Sequence, residues 1–532
     1  MRHHLVRAAA LAALVALRAD AQTVTPPPAF VTFPLLSDTD AGDQLGFHVA
    51  DGKLGASAAV TPSAATAIEN AIVRAPALPL PQPGLQMGVE HDVSAEADSY
   101  EGETAAAATP ALLVGGSNHL YPGLCSAAAP TGAVGDCGPL AFASRDGATF
   151  TRTPLTRTFN NHTYFLGFDP SVDYDANGVF YFAYGVADVG AKNLGANGVV
   201  AVRSTDGVSW TPLTPITNNP KGPTFDDKFY VAVDRSRSAF AGRVYVAWTR
   251  DVVINANAFP PVLDQTIVEA YSADGGRSWS APIPVNDRPH NQRVIGAYPA
   301  VDQASGVVYV SWHDFLNPTR EGLYVDRSTN GGASWSTDVL AVPTHTGFAM
   351  DLGCNGTRGQ SPAQVLKVGA GGALYLVYAD RVAGRGFDVL FTRSIDGGRT
   401  FSPPVRLNDD AGNAHQYHPT LSVAPSPRGD VLTVSFYDRR DDPNNCLSHL
   451  YSTWSLDGGA SWARNVRQTT QPSNFKGNQN GPGDYSSSAP FAGAAYPFFA
   501  DHRASNPSTV KGGGFDVYAV NVGGGIASAS AH

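Results

Sequence analysis

The sequence predicts an all-β fold, a β-propeller of four-stranded antiparallel blades, with seven blades expected and six as the alternative. Three observations carry this. A short turn recurs six times, as "SRDGATF" at Ser144, "STDGVSW" at Ser204, "SADGGRSW" at Ser272, "STNGGASW" at Ser328, "SIDGGRTF" at Ser394 and "SLDGGASW" at Ser455. Its starts lie 60, 68, 56, 66 and 61 residues apart, the size of one supersecondary unit. Finally, 55 Gly and 39 Pro among 532 residues suit many turns better than long helices, while 43% hydrophobic residues suffice for a large core.

Each unit has the same internal pattern. In the fourth, "AYPAVDQASGVVYVSWHDF" gives two alternating apolar runs around a turn, and "GLYVDRSTNGGASWSTDVLAV" gives two more around the repeated one. Four strands per unit, regularly spaced and without helical segments, are the mark of sheets packed face to face around an axis. A seventh unit lacks the turn, but "AAYPFFADHR" matches a second strand and "GFDVYAVNV" a third. It has no clear fourth strand, so a segment before Glu90 is expected to supply one and close the ring.

The chain divides into residues 1–21, 22–85 and 86–532. The start, "MRHHLVRAAALAALVALRADAQT", has basic residues, an apolar run from Ala8 to Leu17 and Ala19-Asp20-Ala21, which predicts a signal peptide cleaved after Ala21 and a secreted protein. Its ten-residue apolar run is about half of what a bilayer crossing needs. Residues 22–85, with "TPPPAF" and "LPLPQPG", read as a Pro/Ala-rich linker with a closing strand. A net charge of −10 argues against nucleic acid and anionic membranes as partners. A monomer is expected.

Export permits disulfides. Four cysteines allow three pairings; the close spacing of Cys125 and Cys137 favours a local staple, leaving Cys354 with Cys446. No CxxC spacing supports zinc, and no cofactor is expected beyond a structural calcium. The calcium-like string "DYDANG" at Asp173 has Tyr184 at its twelfth position instead of a bidentate Glu, so a hairpin turn is preferred.

Topology places the repeated turns, which join third to fourth strands, on one face of the disc. The loops between second and third strands and the crossings between blades lie on the other, where a pocket is expected. There the second strands end in Asp188, Asp251, Asp314, Asp380, Asp438 and Asp501, followed by Arg320, Arg381, Arg439, Arg440 and Arg503. A ring of structural ion pairs is the plainer explanation; the functional one is a crown that holds a carboxylated or polyhydroxylated sugar, with arginine forks for a carboxylate. Ten of the fourteen histidines map to the same face, with His415 and His418 as the best local pair, though they lack a third metal ligand. First-strand entrances, expected to line the channel mouth, supply Glu90, His91 and Asp92; Asp169; Asp226, Asp227 and Lys228; Tyr298; Arg358; Tyr417 and His418; and Asp484 with Tyr485.

The pattern Ser-x-Asp-x-Gly-x-Thr/Ser-Trp/Phe resembles the Asp box of the bacterial neuraminidase repeat, found in sialidases and related propellers. Four copies fit its full length, with Asn330 replacing Asp in one; the copies at Ser144 and Ser204 are a residue short. The resemblance implies a secreted, exo-acting glycoside hydrolase of sialidase type with a glycan substrate, although the same repeat occurs in sorting receptors and assembly factors, and a non-catalytic glycan- or protein-binding propeller is the alternative. A sialidase needs an arginine trio, a Tyr nucleophile activated by a Glu, and an Asp acid/base. The N-terminal Arg-Ile-Pro motif that supplies one of the arginines is missing. The catalytic candidates are Glu321, preferred over Glu269, with Tyr485 or Tyr417 as its partner, and Asp484. The substrate-binding candidates are Asp227, Lys228, Arg358, Arg381, His418, Asp438, Arg439, Asp501 and Arg503.

Overall fold

In a computed structural model of the chain, the described residues are 85–523, apart from 96–98, 122–124, 191–192, 256–261, 288–292, 316–320, 348–349, 355–358, 427–428, 477–480 and 504–513. The predicted signal peptide and almost all of the linker lie outside them. Seven four-stranded antiparallel sheets follow one another as the blades of a propeller. Their inner strands are Ala105–Thr109, Leu166–Tyr174, Thr224–Val233, Val294–Val301, Val365–Val368, Gln416–Ala424 and Ser487–Phe491. No described helix is long and apolar enough to cross a membrane.

Blade 7 is completed from the other end of the chain. Its outer strand is Glu90–Asp92, paired antiparallel with Asp516–Val520 in the register Glu90 to Val520 and Asp92 to Tyr518. The closing strand therefore starts at Glu90 instead of preceding it, and Glu90, His91 and Asp92 sit on the rim of the disc, not at the channel mouth. Side chains secure the seam: Glu90 accepts from the Thr470 hydroxyl at 2.6 Å and from Arg503 Nη2 at 2.9 Å, and the Gly88 N–H donates to Gln468 Oε1 at 2.8 Å.

Apolar side chains between adjacent blades form the core. Leu113 and Phe142 of blade 1 meet Phe498 and Val517 of blade 7, and Val114 and Ala141 meet Phe182 and Val200 of blade 2. Blade 1 admits both neighbours because its second strand carries "GG": a Cβ on Gly115 would come within 2.3 Å of the Phe498 ring, and one on Gly116 within 2.3 Å of Phe182. Two disulfides join Cys125 to Cys137 and Cys354 to Cys446, as the spacing suggested.

Every repeated turn begins on the last residue of a third strand. In the turn at Ser394, the Ser394 hydroxyl donates to Asp396 Oδ1 at 2.8 Å and accepts the Gly398 N–H at 3.0 Å. Asp396 Oδ1 also accepts the Arg399 and Thr400 N–H groups, both at 3.0 Å. Gly397 and Gly398 follow each other at φ 74° and 78°, a left-handed pair that glycine adopts without strain. The turn also fastens neighbouring blades: Arg327 of blade 4 donates to the Gly397 carbonyl at 2.9 Å, Arg393 of blade 5 to that of Gly458 at 2.6 Å, and Arg203 of blade 2 to that of Gly275 at 3.4 Å. "DYDANG" does make a hairpin turn, with Asp175 Oδ1 accepting the Asn177 N–H at 2.9 Å.

The Ser278 hydroxyl, followed by the Ser278 N–H, lowers the Asp274 carboxyl from 3.8 to about 2. A depressed folded-state pKa stabilises the fold above the unfolded value and is lost as pH falls through the folded one. We therefore expect the melting temperature to fall between about pH 4 and pH 2. The combined substitution Asp274→Asn, Asp396→Asn and Asp457→Asn should flatten that limb in circular dichroism melts; Asn330 already makes the same bonds in blade 4. An unchanged acid limb would contradict this account.

Candidate functional site

Inner strands enter the channel through a shared backbone feature. In blades 2, 3, 4 and 6 the pairing with the second strand skips two residues, between Phe168 and Ser171, Asp227 and Tyr230, Ile295 and Tyr298, and Tyr417 and Thr420. The first skipped residue is left-handed each time: Asp169 at φ 54°, Lys228 at 54°, Gly296 at 77° and His418 at 49°. Glu103 and Ala363, each two residues before its inner strand, have φ 54° and 45°. Such bulges bend a strand and re-aim a side chain, and here they recur at the entrance of successive inner strands.

Three of these residues, Lys228, Asp169 and Glu103, converge with Asp484. Lys228 Nζ lies 2.6 Å from Asp484 Oδ2, 3.4 Å from Asp169 Oδ2 and 3.6 Å from Glu103 Oε1. Backbone groups complete the cluster: the Lys228 N–H donates to Asp169 at 3.0 Å and the Asp484 N–H to Glu103 Oε1 at 3.0 Å. Asn118 joins its two sides, donating to Glu103 Oε2 at 2.6 Å and accepting the Asp169 N–H at 2.8 Å. All are buried, with Asp484 the most open of the three carboxylates at 8% side-chain exposure. Above them is a recess of ≈ 20 Å³, room for about one water, lined by Lys228, Asp484, Tyr230, Tyr485, Gln364 and His313.

His313 lines the same recess as Asp484. Its Nε2 lies 3.2 Å from Thr344 Oγ1 and 3.6 Å from Glu321 Oε1, while Nδ1 is buried with no hydrogen-bond partner among the described residues. Glu321, just before the third strand of blade 4, thus faces His313 and Thr344. The Tyr485 hydroxyl is engaged away from them, donating to the Pro170 carbonyl at 3.4 Å. Burial first, then the Asp169 and Glu103 carboxylates, pushes its phenol well above the ordinary value and keeps it protonated. Tyr485 thus lines the recess, while Glu321 is not among its lining residues and stands behind His313.

The other candidates form separate groups. Tyr417 is bonded to Ser448 Oγ at 2.7 Å and covered by the Arg439 guanidinium at 5.2 Å. Arg439 donates to the Leu352 and Asn445 carbonyls at 2.9 Å each, beside the Cys354–Cys446 bridge. His418 packs on Tyr417 and Tyr437. Asp438 and Asp501 hold Arg440 and Arg503, which also reach Asp409 and Glu90, so these parts of the crown are ion pairs within and between blades. Asp227 is buried next to Lys228, Arg381 is exposed, and Arg358 lies outside the described residues. His415 Nδ1 accepts the Phe387 N–H at 3.1 Å, and the described residues contain no group of three or more His, Cys, Asp or Glu placed to hold a metal ion. Nothing in the residue pattern singles out Glu103, Asn118 or Gln364; the available signal was their place just before an inner strand or just after a second strand.

Next to the recess, His345 Nδ1 lies 3.0 Å from Asp380 Oδ2. Burial works against the charged ring, but the Asp380 hydrogen bond and charge outweigh it and raise the His345 pKa above 6.5. Its contribution to stability is complete below about pH 6.5 and is lost as pH rises through the folded value. In an NMR titration, Asp380→Asn should move the His345 midpoint down. Lys228→Met should cost about 3–5 kcal/mol by stranding buried carboxylates. Adding Asp484→Asn to Lys228→Met should recover part of that loss in chemical denaturation, as coupled charges require.

No protein-family model matches the chain, and no curated protein matches it. Among solved structures, it is similar to an alpha-L-arabinanase of Penicillium chrysogenum complexed with arabinobiose, at 13% identity and TM-score 0.44 over 67% of this chain and 94% of that one. It is also similar to a polysaccharide lyase PL25 ulvan lyase, at 13% identity and TM-score 0.43 over 83% of this chain and 94% of that one. A third likeness is to the Hadza microbial sialidase Hz136, at 15% identity and TM-score 0.41 over 72% of this chain and 73% of that one.

Proposed function

We propose that this chain is a secreted glycan-acting hydrolase whose reacting centre is the recess between Asp484 and His313. The observation that supports it is the pairing of acid–base groups across one small axial opening. Asp484 lies 2.6 Å from Lys228 Nζ, and His313 is backed by Glu321 at 3.6 Å. Cleavage of a glycosidic bond needs a proton donor for the leaving oxygen and a second group that attacks the anomeric carbon or activates water. The His313–Glu321 pair fits the donor and Asp484 the base. Tyr230 and Tyr485, with rings 5.2 Å apart, offer an apolar face beneath. Sialidase-type specificity is the finer form of this reading, supported by the repeated turn and the exposed Arg381; a protonated Tyr485 bonded to Pro170 does not favour Tyr485 as the nucleophile. The two disulfides suit an oxidising, extracellular setting.

A non-catalytic glycan-binding propeller is the second reading, and the observation that favours it is that Arg440 and Arg503 are occupied by Asp438, Asp409, Asp501 and Glu90. Fluorogenic sialosides, arabinosides and uronides incubated with the mature protein from pH 4 to 8 separate the two. Turnover lowered about 10²–10⁴-fold in Asp484→Asn and in His313→Gln, with the fold intact, is expected of the hydrolase. Glycan binding without turnover of any substrate would leave the binding protein.

A further inference from the structure

The axial channel continues past the Lys228 cluster. Toward the face that carries the repeated turns it widens into a chamber of ≈ 220 Å³ lined by all seven inner strands. This is smaller than the roughly 300–1,000 Å³ typical of sites for drug-sized ligands, and suits a molecule of one ring. Blade 1 contributes Ala105 to Ala108, four small side chains that leave the space open.

The wall is chemically lopsided. Arg235 is occupied, donating to Asp173 at 2.7 Å and to the Tyr174 carbonyl at 2.6 Å. Asp173, the carboxylate lining the chamber, is thereby neutralised. Lys367 also lines it, with Nζ 5.3 Å from the Tyr298 ring centroid, and makes no ion pair among the described residues. Tyr298 continues into an aromatic wall, 4.6 Å from Tyr230, which lies 5.2 Å from Tyr485. Ser488, on the inner strand of blade 7, also lines the chamber; it is 4% exposed, and its hydroxyl has no hydrogen-bond partner among the described residues. A buried hydroxyl without a partner costs about 1–3 kcal/mol, which a bound polar group would relieve.

An unpaired ammonium, an aromatic wall and an unused buried hydroxyl around one ring-sized space specify a ligand class. We propose that this chamber is a second binding site, separate from the recess and on the opposite side of the Lys228 cluster, for a small hydroxylated monocarboxylate such as a single-ring sugar acid. The carboxylate pairs with Lys367, the ring face lies on Tyr298 and Tyr230, and ring hydroxyls reach Ser488 and Ser422. No bond is made or broken.

Calorimetric titration of the full chain with glucuronate and galacturonate tests this, with glucose and acetate as controls at matched ionic strength. Saturable binding of at least one sugar acid is expected, weakened at least about tenfold in Lys367→Met and largely kept in Lys367→Arg. Should Lys367→Met fail to fold, Ser488→Val, which narrows the chamber from another blade, should weaken binding in the same way. Asp484→Asn should leave it unchanged. The proposal is overturned if neither sugar acid binds saturably, if glucose binds as well as its acid, or if Asp484→Asn weakens binding while Lys367→Met does not. Glycosidase activity can be present or absent in every one of these outcomes, so the two proposals fail separately.

Discussion

Seven sheets can pack around an axis only if the last is fixed to the first, and here the pairing of Glu90–Asp92 with Asp516–Val520 does this. Without it the edge of Asp516–Val520 would be bare, and the Phe498 side of blade 1 would lose the neighbour that its glycine-bearing second strand is shaped to receive. The seam is only three residues long, so it relies on side chains as well as on the ladder, with Glu90 gripped from two directions. Everything at the axis follows from closure, because an open arc of blades would not bring Glu103 of blade 1, Asp484 of blade 7 and Lys228 of blade 3 to one point.

The axis then divides the molecule electrostatically. On the loop face the crown is largely spent on holding the blades together, through Asp438 with Arg440 and Asp501 with Arg503. At the centre, one lysine and its neighbouring carboxylates form a plug of charge in a place where unpaired charge would be costly. Below the plug the balance reverses, and Lys367 is left facing a chamber whose lining acid is already paired. The disc thus has a recess where Asp484 meets Lys228 and a chamber whose Lys367 makes no ion pair among the described residues, with Tyr230, Gln364 and Tyr485 shared between their walls.

Much of this was legible in the sequence, because a repeat reports on itself six times. The blade count, the start of each third–fourth-strand turn at its serine, and both disulfides followed from periodicity and spacing. The closing strand was displaced by a few residues, since a three-residue strand such as "EHD" carries too little alternation to be seen. Pairs such as Glu321 with Tyr485 were chosen from position along the strands, and position does not reveal where a side chain points; His313, on the second strand, lay nearer to Glu321. The arginines that clip each turn to its neighbour were visible as "RS" at Arg203, Arg327 and Arg393, but a one-residue signal gains meaning only once the blades are side by side.

The left-handed residues at the head of six inner strands have a further consequence. The backbone there has the same shape in each of these blades while the side chain changes freely, from Glu103 to Asp169, Lys228, Gly296, Ala363 and His418. In blades 2, 3, 4 and 6 the ladder on both sides sets this conformation, so it belongs to the scaffold more than to the residue that adopts it. The position can therefore exchange an acid for a base, a glycine or an imidazole without redesign of the scaffold. Around the axis this makes a dial of interchangeable settings, on which a new chemistry could arise by single substitutions while the surrounding blades stay as they are.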